Sequence, residues 1–194
     1  RNTRVGTNAG NSFDGTTATD NTLIGYDAGT AITGGDNNTA VGAYALDANT
    51  TASGNVAVGK QALTENTTGG FNISVGNESL AANTTGNYNV AVGHQALDAN
   101  TTASNNTAAG FGALGADTTG ANNTAVGYQA LTTITTSGDC TALGYQAGKD
   151  NHSIRLLAIG HQAGLNNNAW PNTFIGYGAG AVSADITGDG NTAV

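Results

Sequence analysis

The sequence predicts an all-β chain wound as a parallel β-solenoid, in about 11 coils of about 17 residues each. The first observation is a glycine in an Ala-Val-Gly-type motif at Gly6, Gly25, Gly42, Gly59, Gly76, Gly93, Gly110, Gly127, Gly144, Gly160 and Gly176. The steps are 19, then seven of 17, then two of 16, and a further copy opens at Asn191 to Val194. The second is that small apolar residues keep a fixed register to each glycine. The third is that Gly and Thr recur throughout with no apolar stripe at 3.6 spacing, which excludes helix. Repeats of this kind are stable only when stacked on their neighbours.

One coil can be read from its motif glycine as position 0. Position −4 is Asn in Asn38, Asn55, Asn72, Asn89, Asn106 and Asn123. Position −3 is Thr or β-branched apolar, as in Thr39, Val56, Ile73 and Val90. Position −2 is mostly Ala, as in Ala40, Ala57, Ala91 and Ala125. Position −1 is aliphatic, as in Val41, Val58, Val75, Val92 and Val126. This pattern places a strand over positions −3 to −1, with alternate residues on opposite faces. Positions −3 and −1 form a bulky β-branched face. Positions −2 and 0 form a nearly bare Ala/Gly face, which suits the close approach of another backbone. The segment from +1 to +4 reads as a second short strand or a bend, with Ala at +3 (Ala45, Ala62, Ala96). At +4 stands Leu in the middle coils (Leu46, Leu63, Leu80, Leu97) and Gly near both ends (Gly10, Gly29, Gly148, Gly164, Gly180). An Asn-Thr-Thr-Gly type turn follows. In-register stacking would build ladders from the Asn at −4 and from Asn49, Asn66, Asn83 and Asn100 in the turns.

The chain reads as a single repeat array over 1–194, with regular coils over 38–148 and irregular coils over 1–37 and 149–194. The start at Arg1 and the stop inside a repeat read as a piece of a longer protein. Leu46 to Ser53 and Leu97 to Ser104 both spell LDANTTAS, 51 residues apart, which is three periods and points to block duplication. A core of three or four small apolar groups per coil is thin for ordering 17 residues. The expected remedy is side-by-side packing of chains through the Ala/Gly face, with three-fold symmetry the natural closed choice.

The unit Asn123 to Leu131, Asn-Thr-Ala-Val-Gly-Tyr-Gln-Ala-Leu, resembles repeats of phage tail fibres and of bacterial mosaic adhesive trimer proteins. It also looks like a lengthened form of the YadA-like head repeat of trimeric autotransporter adhesins, whose own repeat is shorter. The resemblance covers nearly the whole chain, Asn2 to Val194. It implies a left-handed β-roll packed as a homotrimer, possibly stacked end to end, in a fibre outside the cell: a bacterial surface or a virion.

Candidate chemistry is sparse. Thirteen acids against five basic residues, a net charge of −8, leave no basic stripe for nucleic acid and no polybasic anchor. No apolar run is long enough to span a bilayer, so direct membrane insertion is not expected. No acids share a position in adjacent coils: Asp27 and Glu78, like Asp47 and Asp98, stand three coils apart, about 14 Å at strand spacing. They read as solvated turn acids rather than a catalytic pair, so no enzyme and no cofactor is expected. His94 and His161 share position +1 with Tyr26, Lys60, Phe111, Tyr128, Tyr145 and Tyr177, a site that reads as outward or groove-lining. No metal site is expected from histidines four coils apart, and the oxygen-rich segment Asp185 to Asn191 reads as a turn. Cys140 stands at a −4 position as a tolerated substitution. Specificity for a surface glycan or receptor is expected in the irregular stretches: Phe13, His152, Arg155 and above all Trp170, whose ring could stack on a sugar. The functional expectation is a non-catalytic shaft or head segment of an adhesive trimeric fibre. The alternatives are ice binding, weakened because the paired threonines are adjacent and point to opposite faces, and a self-assembling extracellular filament.

Overall fold

The computed structural model describes residues 1–13, 17–150, 152, 154–166, 171–181 and 190–194. Among them there is no helix. Twelve short strands follow one another: β1 (Thr3–Val5), β2 (Thr22–Ile24), β3 (Thr39–Val41), β4 (Val56–Val58), β5 (Ile73–Val75), β6 (Val90–Val92), β7 (Thr107–Ala109), β8 (Thr124–Val126), β9 (Thr141–Leu143), β10 (Leu156–Ile159), β11 (Asn172–Ile175) and β12 (Thr192–Ala193). They form one sheet in sequence order, every pairing parallel. Register follows the repeat: Val41 pairs with Val58, Val58 with Val75, Val75 with Val92, and on through Ala109, Val126 and Leu143. The chain is thus a parallel β-solenoid, and equivalent residues pile into files along its axis.

The segment after each strand is a run of turns, not a second strand. It bends by left-handed backbone at positions +2 and +4, as at Gln95 (φ 55°) and Leu97 (φ 54°), and again at −5, as at Tyr88 (φ 57°). The motif glycine has φ near +140°, for example +138° at Gly93, and a Cβ there would sit far inside contact with the Gly110 carbonyl of the next coil. Each motif glycine from Gly6 to Gly160 meets the next one in this way. The file must therefore be glycine for two independent reasons, conformation and space.

The two faces of the strand are the reverse of the sequence expectation. The Ala at −2 (Ala40, Ala57, Ala91, Ala108, Ala125, Ala142) points into the coil and is fully buried. It meets the buried Ala at +3 and Leu at +4, together with the Asn at −4. The bulky residues at −3 and −1 point outward, with Val92, Val126 and Leu143 about 40% exposed. The interior is too narrow for them. A three-residue strand backed directly by a tight turn leaves little room beside it, and in the middle coils Leu at +4 takes that room.

That reading explains the Gly at +4 in two of the end coils. Where −2 is bulky, as Leu23 or Phe174, the +4 partners are Gly29 and Gly180, and a Cβ on either would collide with that bulk. Left-handed Leu costs roughly 1–2 kcal/mol of backbone strain and returns about 1.5–3 kcal/mol when buried. The margin is small, so the bulk can move from one position to the other. Ser74 and Ser79 replace Ala at −2 and +3 in one coil and hydrogen-bond to each other, so that polar pair is satisfied in place.

Buried amides close the coils. In the −4 file the backbone N–H of each Asn donates to the Oδ1 of the Asn one coil before, as Asn55 to Asn38 (3.0 Å) and Asn72 to Asn55 (2.9 Å). Its Nδ2 donates across the coil to a turn carbonyl, as Asn72 to Gly86 (2.8 Å). Cys140 continues the file, its N–H donating to Asn123 Oδ1 (3.0 Å) and its thiol to the Gly138 carbonyl (3.5 Å). The expected Asn ladders are present in both files.

The exchange of bulk between −2 and +4 can be tested by swapping it. Gly180→Leu alone should lower the thermal midpoint by several degrees through collision with Phe174. Adding Phe174→Ala recreates the Ala/Leu pair of the regular coils and should restore most of the loss.

Candidate functional surface

Three outward files lie beside the glycine column: aliphatic at −1, aromatic at +1 and amide at +2. The aromatic file begins in earnest at His94. His94 meets Phe111 edge-on at 5.4 Å between centroids, and then Phe111, Tyr128, Tyr145, His161 and Tyr177 stack nearly parallel at 5.3, 5.2, 4.9 and 4.8 Å. These spacings follow from the strand–strand repeat, since each ring is carried one coil further along. A second, two-ring stack joins Phe71 and Tyr88 at 5.4 Å on position −5. Beside the main file, Gln146 donates to Gln129 (3.0 Å) and Gln162 to Gln146 (3.1 Å), an amide ladder of the kind in-register stacking favours. Gln95 donates to Glu78 (3.0 Å) in the same file, and that bond is the first cause holding the Glu78 carboxyl below its usual range.

Position +1 is therefore outward, as its mixed composition suggested. Phe111, Tyr128 and Tyr145 fall 17 apart, which places their rings on successive coils. The ring faces are consumed by the neighbours in the file, so solvent meets mainly ring edges and phenol tips. A sugar stacking on a ring needs a free face. Among the described residues Tyr177, at one end of the file and 83% exposed, offers one.

The residues singled out for recognition do not form one group. Phe13 is partly buried, packs on the core and carries the Arg4 guanidinium 5.5 Å from its ring centre. It closes the first coils rather than facing a ligand. Arg155 is exposed in a left-handed turn, its backbone N–H held by the Gly138 carbonyl (3.2 Å). His152 is exposed. Trp170 and the segment Asp185 to Asp189 lie outside the described residues. Of the repeat residues, Gly42 to Gly144 form the central glycine column, and Val41, Val58, Val75, Val92 and Val126 form the outward −1 file.

Among the described residues no pocket forms, and no three His, Cys, Asp or Glu side chains converge as a metal site. The turn acids are not all solvated. Asp117 is fully buried, and burial raises the carboxyls of Asp47 and Asp98 as well. The threonine pairs divide their roles: Thr50, Thr67, Thr84 and Thr101 donate to the carbonyls of Thr67, Thr84, Thr101 and Thr118 in the next coil. Their neighbours Thr51, Thr68, Thr85 and Thr102 form an exposed file one residue wide.

The architecture and this surface define the class: a parallel β-solenoid repeat protein with an apolar and aromatic outer stripe. Comparison with protein-family models, with curated proteins and with solved structures gave no match.

The stacked file should contribute measurably to stability. Tyr145→Ala removes two ring contacts and Tyr177→Ala one. At about 0.5–1.5 kcal/mol per stacked pair, the interior substitution should lose about twice as much as the terminal one in urea denaturation.

Proposed function

We propose that this chain is a non-catalytic structural segment, shaft or head, of an extracellular trimeric fibre used in adhesion or receptor attachment. The observation that supports this reading is the outward stripe at −3, −1 and +1. Its −1 file is apolar from Val5 to Ile175, −3 alternates Thr with Val, Ile or Leu, and +1 is aromatic from His94 to Tyr177. At strand spacing the stripe covers about 50 Å by about 13 Å, on the order of 700 Å². That is close to the roughly 800 Å² each partner contributes to a stable interface.

A second copy is the partner that fits. A ridge of side chains repeating at 4.8–5.4 Å can be met along its whole length only by a surface with the same repeat. Another solenoid of this sequence has that repeat by construction. A closed ring of copies covers the stripe on every chain, whereas the Ala face, being internal, has no part in it. The net charge of −8 opposes association of whole surfaces and leaves this stripe, which carries no acid and one lysine (Lys60), as the favourable contact.

Ice binding is the second reading, and the exposed Thr51 to Thr102 file is what favours it. One file offers a line rather than a two-dimensional lattice, so the fibre reading is preferred.

The test is the mass in solution by analytical ultracentrifugation over a range of concentrations. The expected result is a species of about 57 kDa, three chains of 19.1 kDa. Val92→Asp with Val126→Asp places charges on the stripe, and should give a monomer that keeps its β circular dichroism. A wild-type chain that stays monomeric throughout would remove the basis for the proposal.

A further inference from the structure

Position +7 carries a second buried file: Ile32, Asn49, Asn66, Asn83, Asn100, Asp117 and Ile134, all within 1% of complete burial. Asn66, Asn83 and Asn100 use both amide protons, and Asn49, which follows Ile32, uses one. One goes to the carbonyl three residues on, at Ala52, Gly69, Gly86 and Ala103. The other goes back to the preceding Oδ1: Asn66 to Asn49 (3.2 Å), Asn83 to Asn66 (2.8 Å), Asn100 to Asn83 (2.7 Å). The direction never changes, so each coil donates to the one before. The next member must donate to Asn100 Oδ1, and it is Asp117. An ionised carboxylate has no proton to give. Asn100 Oδ1 is buried without a hydrogen-bond partner.

The surroundings of Asp117 point the same way. Its Oδ1 accepts the Gly120 N–H at 2.9 Å. Its Oδ2 lies 3.4 Å from the Nδ2 of both Asn106 and Asn123. Those two amides make shorter bonds elsewhere, to the Gly120 carbonyl (2.7 Å) and the Ser137 carbonyl (2.8 Å). On the side of the next coil the file continues with Ile134, which offers nothing polar. Among the described residues no charged side chain acts on the carboxyl. The ionisable group that feels its charge is the buried Cys140 thiol, raised mainly by burial and further by Asp139 and Asp117.

We propose that Asp117 is a proton-binding site: the folded chain holds it as a neutral carboxylic acid whose O–H donates to Asn100 Oδ1 and completes the ladder. An orphaned buried acceptor and a buried unpaired carboxylate are each costly, and one proton relieves both. Burial pushes this carboxyl up to about 7, against the weaker opposing pull of the Gly120 N–H and the Asn123 amide. The folded chain therefore binds the proton more tightly than the unfolded one, whose aspartate titrates near its ordinary value of 3.8. The stabilisation is complete below about pH 4, falls as pH rises toward 7, and is gone above that. The solenoid carries a built-in preference for mildly acid conditions.

Asp117→Asn supplies the missing proton as an amide at every pH, reproducing the geometry of Asn83. The experiment compares urea unfolding of the wild type and Asp117→Asn between pH 4 and 8.5. The expected result is that the wild-type folding constant declines relative to the variant by up to about tenfold per pH unit between 4 and 7, then runs parallel. Parallel profiles over the whole range would overturn the proposal. A carbon NMR titration of the Asp117 carboxyl in the unmodified chain reads the proton directly: a midpoint near 7 supports it, and one near 4 overturns it.

Discussion

The whole molecule depends on one constraint: each coil must return to its starting point at the strand–strand spacing, so that the next coil lies on it in register. Everything else follows from closing such a loop in 17 residues. Tight closure demands left-handed backbone at three positions and an extended positive φ at the motif glycine, where Gly93 meets the Gly110 carbonyl. Residues that tolerate those conformations dominate the composition for that reason. Once one coil has closed, stacking multiplies each feature along the axis. A buried asparagine becomes a ladder, an outward valine a file, and a ring on six coils a stack.

The interior that results is unusual in its division of labour. Apolar packing in the middle coils rests on Ala at −2 and +3 and Leu at +4, with Leu23, Ile32, Ile134, Leu156 and Phe174 supplying bulk toward the ends. Much of the remaining cross-section is amide, and it is stable because nearly every donor and acceptor is paired with the coil before or after. Such a network tolerates few exceptions. Ser74 and Ser79 are one, and they satisfy each other. Asp117 is another, and it interrupts the ladder at the point where Asn100 Oδ1 is left alone. The outer surface inverts the usual arrangement: β-branched and aromatic bulk lies outside, in files along the solenoid axis.

Period, fold class, strand positions and both asparagine files were legible in the sequence, because each is a property of the repeat. Which face turns inward was not. Alternation divides −3 and −1 from −2 and 0, but it does not say which pair lies inside, and bulk is ordinarily buried. The signal that decides it was nonetheless present. Leu23 occurs with Gly29, and Phe174 with Gly180, while Ala at −2 mostly occurs with Leu at +4. Such exchange of volume means that the two positions share one space, and that space must be the core. The burial of Asp117 could be read in the same way, as the single acid in a file of asparagines. The stacked aromatic surface was half legible: position +1 was recognisably outward, but that its rings consume one another's faces depends on geometry. Of the recognition residues in the irregular coils, Phe13 could not be placed without knowing that the first coils need a large group to close them.

In-register stacking can be measured directly with spin labels. In a chain with Cys140→Ala, labels on Val58→Cys and Val75→Cys sit on paired residues of β4 and β5. Labels on Val58→Cys and Ser74→Cys sit on opposite sides of the sheet, one outward and one buried. The account requires strong spin exchange for the first pair, at about 5 Å backbone separation, and much weaker exchange for the second. Equal spectra from the two pairs, or no exchange between residues 58 and 75, would contradict it.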